Sequence, residues 1–126
     1  MWNNKKFARR SKKNKYGVSP AECRTYNGIE FDSAAEMKRY CQLLLLQKSG
    51  QIKNLMLQPR FELQPAFKSS FQKNKIKSIN YVADFLYEQD CKIVVEDVKG
   101  FRTKEYSLKM KIFLYKYPQY IFREIK

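Results

Sequence analysis

The sequence predicts a mixed α/β (α+β) layer fold in which a mixed sheet is flanked by two helices. Two capped amphipathic patterns predict the helices, and short apolar runs bounded by turn residues predict the strands. The expected order is helix, three or so strands, helix and strand. With 126 residues, 44% of them apolar, the chain is long enough for a single domain with a real core.

The first helix is predicted to begin after Ser33, which suits the N-cap position. Ser33-Ala-Ala-Glu36 is a capping-box pattern, and Ser49-Gly50 ends the helix. The apolar positions at helical spacing predict its core stripe: Met37, Tyr40, Cys41, Leu44 and Leu45.

An Asn27-Gly28 pair comes before this helix and fits a type I′ hairpin turn, because that turn needs positive φ at both central residues. After the helix, residues 52–58 and 60–67 are predicted to be extended. Residues 68–78 are polar and basic, which indicates a hairpin tip or loop.

The next two predicted strands, residues 78–87 and 92–99, carry charged side chains inside apolar runs. Asp84 lies in the first strand, and Asp97 and Lys99 lie in the second. Burying a charge without a partner costs on the order of several kcal/mol, so such residues indicate a bound cation or a specific partner. The second helix has Thr103 as its N-cap and ends before Pro118, and a last strand follows.

Alternation along a strand places Asp97 and Lys99 on one face and Glu96 and Val98 on the other. If Asp84 lies beside Asp97, their like charges require a cation. Ligation by oxygen alone, without His or Cys, selects Mg²⁺ or Mn²⁺, and the Val98 carbonyl is a further expected ligand. Lys99 would orient a water molecule or stabilise charge on a phosphate.

Each acid also has a simpler interpretation. Asp97 and Lys99 could form a solvated ion pair on an edge strand and Asp84 could be a surface residue, but the apolar neighbours favour central strands. Glu36 could act only in the capping box, or it could reach the metal from the margin of the core stripe. Glu96, which points away from Asp97, is expected to be structural.

The chain carries 26 Lys and Arg against 12 Asp and Glu, a formal charge of +14, which favours a nucleic-acid partner. A membrane partner is disfavoured, because no apolar run approaches about 18 residues. Residues 1–22 are predicted to be a basic flexible arm that binds DNA phosphates or merely aids solubility. The expected phosphate-binding residues are Lys5, Lys6, Arg9, Arg10, Lys12, Lys13 and Lys15 in the arm, Lys73 and Lys75 in the loop, and Arg102 and Lys104 at the second helix.

Three widely spaced cysteines and the absence of histidine argue against a zinc site and a disulfide framework, and fit a reducing cytosol. Without histidine, Ser-His and Cys-His nucleophilic schemes are excluded. The nine Tyr, nine Phe and one Trp mostly follow apolar periodicity, so they are expected in the core and not as platforms for base stacking.

The set Glu36, Asp84 and Asp97-x-Lys99 resembles the PD-(D/E)XK nuclease superfamily. Val-Glu-Asp-Val-Lys-Gly, with the Asn-Gly hairpin, is similar to small phage nucleases related to archaeal-type Holliday-junction resolvases. The resemblance implies a restriction-endonuclease-like α-β-β-β-α-β core in a single nuclease domain over residues 23–126. One departure is Ala83, which stands where the superfamily motif has proline.

The resemblance implies a metal-dependent endodeoxyribonuclease of a phage or mobile element that resolves Holliday junctions or other branched DNA. It implies Glu36, Asp84, Asp97 and Lys99 as catalytic residues, Mg²⁺ as cofactor with Mn²⁺ as substitute, and a homodimer in the bacterial host cytosol. The alternatives are a structure-indifferent or sequence-dependent DNA endonuclease of transposition or restriction type, and a non-catalytic DNA-binding protein on this scaffold.

Overall fold

The computed structural model of the protein describes residues 20–126 and has a mixed α and β architecture, which confirms the predicted class. The predicted arm, residues 1–22, lies almost entirely outside the described residues. The elements, after a 3₁₀ turn at Ala21–Arg24, are β1 (Thr25–Tyr26), β2 (Ile29–Glu30), α1 (Ala34–Lys48), β3 (Lys53–Leu57), β4 (Arg60–Gln64), β5 (Ile79–Val82), β6 (Phe85–Gln89), β7 (Lys92–Val98), α2 (Lys104–Lys116) and β8 (Ile121–Ile125).

The chain divides into two compact units, Met1–Lys38 and Arg39–Lys126, and the division falls inside α1. In the described part of the first unit, β1 and β2 form an antiparallel hairpin. Its turn residues Asn27 and Gly28 have φ values of 50° and 75°, as the type I′ turn requires. The predicted hairpin is therefore confirmed.

Helix α1 begins and ends as its local sequence predicts. The Glu36 N–H donates to Ser33 Oγ at 3.1 Å. At the other end Gly50 has a φ of 82°, and the Gln51 N–H bonds to the Leu46 carbonyl at 3.0 Å, which closes the helix.

The predicted core stripe of α1 is wrong at one position. Leu45 is 69% exposed, whereas Leu43 is fully buried. Two residues further along a helix of 3.6 residues per turn lie on nearly the opposite side, so burial of Leu43 exposes Leu45. Tyr40, in the same helix, stacks on Phe85 of β6 and belongs to the buried side.

The second unit contains a four-stranded sheet in the order β3-β6-β7-β8. β6 is antiparallel to both β3 and β7, and β8 lies parallel to β7. Four consecutive residues of β7, from Val94 to Asp97, are buried. β7 is therefore an inner strand covered on both faces, as its apolar run predicts.

The predicted single strand at residues 78–87 is wrong, because the structure divides it into β5 and β6. β5 pairs with β4 in a separate two-stranded sheet, whereas β6 pairs with β3 and β7. The Ala83 N–H donates to the Pro59 carbonyl at 3.1 Å, and the Asp84 N–H donates to the Glu96 carbonyl at 3.0 Å. Successive amides thus bond to different sheets, and Asp84 lies at the bend.

An aromatic core fills the space between the β4–β5 sheet and α2. The Phe113 ring lies 4.7 Å from the Phe61 ring and 5.2 Å from the Tyr81 ring, between centroids. Burying each such side chain contributes roughly 1.5–3 kcal/mol. The Tyr106 N–H donates to Thr103 Oγ1 at 3.0 Å, which confirms the predicted cap of α2.

No helix within residues 20–126 combines the length and the apolar character that a bilayer crossing requires.

Candidate active site

Asp84 is bonded to both chain neighbours of Asp97. Its Oδ2 accepts the Val98 N–H at 2.6 Å, and its own N–H donates to the Glu96 carbonyl at 3.0 Å. Asp84 therefore lies against the end of β7, although the register of β6 with β7 begins only at Phe85 and Glu96. The bend between the two sheets positions this carboxylate.

Asp97 is 1% exposed, and its two carboxylate oxygens have different surroundings. Oδ2 accepts a hydrogen bond from the Tyr81 hydroxyl. Oδ1 lies 3.1 Å from Lys99 Nζ as an ion pair, but no hydrogen bond of good geometry reaches it from residues 20–126. A buried carboxylate oxygen without a hydrogen bond is costly, so Oδ1 has capacity for a further partner.

Lys99 follows β7 directly, and contacts hold both its backbone and its ammonium group. Its N–H donates to the Ile125 carbonyl at 2.9 Å. Its ammonium lies 4.7 Å from the centre of the Tyr106 ring, within the range of a cation–π interaction. The side chain remains 31% exposed, so the ammonium touches the carboxylate and still opens to solvent.

Two tyrosines, Tyr81 and Tyr106, complete this cluster. Burial raises the pKa of Tyr81, and the charge of Asp97 raises it further. Burial likewise raises the pKa of Tyr106, whose hydroxyl donates to Glu124 at 2.9 Å. Both phenols therefore stay protonated and act as donors. A tyrosine on the strand that leads to a functional acid is the one signal that could have found Tyr81.

Arg102 and Lys104, expected at the phosphate, lie at the start of α2. Arg102 binds both oxygens of Glu124, with Nε–Oε1 at 2.9 Å and Nη2–Oε2 at 2.8 Å. This hydrogen bond lowers the pKa of Glu124. Arg102 thus has a carboxylate partner that the sequence does not predict, whereas Lys104 is exposed.

Glu96, on the other face of β7, is fully buried, and both of its carboxylate oxygens accept hydrogen bonds. Arg39 donates Nε to Oε1 and Nη2 to Oε2, both at 2.7 Å. The Tyr87 hydroxyl donates to Oε2, and burial is the main cause that raises the pKa of Tyr87 to about 12. These contacts agree with the structural role expected for Glu96.

Glu36 lies in the first turn of α1 and is buried. Its N–H donates to Ser33 Oγ, as the capping box predicts. Glu36 belongs to the first unit, and Asp84, Asp97 and Lys99 belong to the second. Among residues 20–126, no group of three or more His, Cys, Asp or Glu side chains forms a ready metal site.

The chemistry of the donors fits a hard divalent cation. Asp84 and Asp97 offer only oxygen, and Asp97 Oδ1 is the buried oxygen that lacks a hydrogen bond among the described residues. Val98, whose carbonyl is the further expected ligand, is the last residue of β7. Mg²⁺ accepts such a site and retains water in its remaining positions.

The structure describes only some of the predicted phosphate-binding residues. Lys73 and Lys75 are exposed in the loop between β4 and β5. The arm residues lie outside the described residues: Lys5, Lys6, Arg9, Arg10, Lys12, Lys13 and Lys15.

A family model described as "Protein of unknown function (DUF1064)" matches residues 13–126. No curated protein and no solved structure matches the chain.

Proposed function

The chain belongs to the DUF1064 family, whose description assigns no function, and from its site we propose that it is a Mg²⁺-dependent endodeoxyribonuclease. The observation that carries the proposal is the environment of Asp97. This carboxylate is buried beside Lys99, and Asp84 is hydrogen-bonded to the backbone of the residues on either side of it. One oxygen of the Asp97 carboxylate has no hydrogen bond among residues 20–126. Lys99 pairs with that oxygen at 3.1 Å but makes no hydrogen bond of good geometry to it, so the oxygen retains capacity for a metal ion.

The topology supports a PD-(D/E)XK nuclease core. If the β4–β5 sheet is treated as an insertion, the elements α1, β3, β6, β7, α2 and β8 follow the order α-β-β-β-α-β. Three of the strands form an antiparallel meander, and the last lies parallel to its neighbour. On this proposal, Asp84, Asp97 and Lys99 are the catalytic acids and lysine that the resemblance implies.

Asp84 and Asp97 would hold the ion, with the Val98 carbonyl as a further ligand, and Mn²⁺ would substitute. When bound, the ion polarises the scissile phosphate and lowers the pKa of a bound water. Lys99 orients the attacking water or stabilises the negative charge that develops on the phosphate. Tyr81 holds the Asp97 carboxylate in place, and Tyr106 holds the Lys99 ammonium.

The proposed substrate is branched DNA, above all the four-way junction. The excess of positive charge, 26 basic against 12 acidic residues, suits contacts with phosphates and not with base edges. A symmetric junction needs paired cuts, so the proposal includes a two-fold dimer. A structure-indifferent or sequence-dependent endonuclease, and a non-catalytic binding protein, are the outcomes that would replace it.

The test is a Mg²⁺-dependence assay on plasmid, linear and four-way-junction DNA of matched sequence. Asp84→Asn and Asp97→Asn are expected to abolish cleavage and to leave DNA binding intact or tighter. The matched control is Asp90→Asn. It removes the same charge from an exposed turn position whose φ of 52° suits asparagine.

Four results distinguish the possibilities. Symmetric cuts in the junction by a dimer support resolution, and equal cleavage of junction and linear DNA supports a general nuclease. Full activity of Asp84→Asn or Asp97→Asn would remove the metal assignment. DNA binding without cleavage in Mg²⁺ or Mn²⁺ would make the protein a non-catalytic binder.

A further inference from the structure

The loop between β4 and β5 presents an aromatic side chain to solvent. Phe71 is 96% exposed, the largest value among the big apolar side chains of residues 20–126. This placement differs from the expectation that the aromatics lie in the core. A side chain this exposed adds little apolar burial to the fold, and aromatic rings are common contacts at binding surfaces.

The loop is closed at its base, so Phe71 is presented on an ordered turn. Phe67 and Ile76 exchange backbone hydrogen bonds of 3.0 and 2.7 Å. Within the loop, the Gln72 N–H bonds to the Ser69 carbonyl at 3.3 Å, and the Phe71 N–H bonds to Ser69 Oγ at 3.3 Å. The backbone that carries the ring is therefore already ordered and loses little conformational freedom when the ring binds.

The charge around Phe71 indicates the kind of partner. The segment 65–78 contains lysines and no acid: Lys68, Lys73, Lys75 and Lys77. A second copy of the chain would bring an identical positive loop to a symmetric contact, which like charges oppose. A polyanion is attracted instead, and the combination of lysines with an exposed ring suits nucleic acid.

We propose that Phe71 is a base-stacking residue that recognises unstacked bases in DNA, as found at a branch point or a strand end. A ring can stack only where a base face is open or a base step is wedged apart. This inference rests on the proposed function for the identity of the polymer, and it adds a residue that selects branched over continuous duplex DNA.

The position of the loop is compatible with contact to the same DNA as the site. Phe71 lies thirteen residues before Asp84, a separation that spans at most roughly 47 Å of extended chain. At about 3.4 Å per nucleotide along a strand, this reach corresponds to at most about 14 nucleotides from the scissile phosphate. Phe71 and the candidate site can therefore contact the same DNA molecule.

The experiment measures binding in the Asp84→Asn background with EDTA, so that no cleavage occurs. The probes are a four-way junction with 2-aminopurine beside the branch point and a linear duplex of the same sequence. Phe71→Ala is compared with Phe71→Trp, which keeps a stacking ring. Tyr115→Ala is the control, since it removes a ring that is 89% exposed on α2.

Phe71→Ala is expected to weaken junction binding about 5- to 150-fold and duplex binding by less than about twofold, whereas Phe71→Trp and Tyr115→Ala retain binding. Quenching of 2-aminopurine should be lost only in Phe71→Ala. Equal affinity of Phe71→Ala and its parent for both probes would overturn the inference, as would a changed sedimentation mass without a change in DNA binding. Either result leaves Mg²⁺-dependent cleavage by the unmodified protein untouched, whereas a parent that binds neither probe overturns both proposals.

Discussion

The Tyr81 hydroxyl donates a hydrogen bond to Asp97 Oδ2, so one carboxylate oxygen of the candidate site is held by a buried phenol and the other faces Lys99. On the opposite face of β7, the Tyr87 hydroxyl does the same for Glu96. The two tyrosines are both buried and provide a matched pair for testing what this bond does.

Tyr81→Phe is expected to reduce Mg²⁺-dependent cleavage and metal affinity about 10- to 100-fold, because partners that orient a ligand have effects of that size. Mn²⁺ titration by calorimetry and cleavage rates at saturating metal check this. Tyr87→Phe removes an equivalent bond from an acid outside the site and should lose stability without a change in metal affinity. Equal effects of the two variants on metal affinity would show that Tyr81 acts only through the fold.

Lys99→Gln is expected to lower the cleavage rate about 10²- to 10³-fold with little change in DNA affinity, because it removes one donor that stabilises charge in the transition state. Single-turnover rates on the preferred DNA and fluorescence anisotropy separate rate from binding. Lys92→Gln, an exposed position at the start of the same strand, controls for the lost charge. A Lys99→Gln protein with parental turnover would assign the lysine to structure alone.

Arg39→Met is expected to destabilise the fold by about 3–5 kcal/mol, because it leaves the buried Glu96 carboxylate without its guanidinium. Urea denaturation followed by circular dichroism measures the change. The double variant Arg39→Met with Glu96→Gln should recover part of the loss, since the amide is neutral and still accepts from Tyr87. No recovery would indicate that Arg39 stabilises the fold by packing and not by charge.

The pH dependence of stability is expected to contain a contribution from Tyr87 in the alkaline range. Its pKa is raised to about 12 in the fold, mainly by burial, from an ordinary value of 10.0. The folded state therefore holds this proton more tightly, and its contribution is complete below pH 10 and decreases as the pH rises toward 12. Tyr87→Phe should flatten the fall of unfolding free energy with pH above 10. Parallel curves for the two proteins would contradict the raised pKa.

Deletion of residues 1–15 is expected to weaken binding to all DNA forms alike and to flatten its salt dependence. Each phosphate that the arm neutralises contributes about 0.9 to the log–log slope. Binding of the intact and shortened chains is compared on linear and junction DNA from low to moderate salt. An unchanged slope would mean that the arm does not touch DNA.

The parts of the fold that follow from neighbouring residues could be predicted from the sequence. The Asn27-Gly28 turn and the caps at Ser33 and Thr103 depend on contacts within a few residues, and the structure contains all three. The break at Asp84 could not be predicted, because the apolar alternation continues through it. Only pairing with two different sheets divides that segment.

The same distinction applies to the candidate site. Asp84, Asp97 and Lys99 stand out because charges interrupt apolar runs, and the structure brings them together. Their partners do not stand out: Tyr81 looks like any core aromatic. Phe71 has an ordinary apolar side chain in the sequence, and only the three-dimensional loop exposes it.

The register of the β6–β7 hairpin decides which of two adjacent acids serves the site. Gln89 pairs with Lys92 across a two-residue turn, and this register turns Asp97 toward Tyr81 and Glu96 toward Arg39. A slip of one residue reverses every side chain of a strand. A slip caused by an insertion at the turn would thus exchange the two acids, turning Asp97 toward Arg39 and Glu96 toward Tyr81. The length of a surface turn remote from the chemistry is therefore as strict a requirement as the acids themselves.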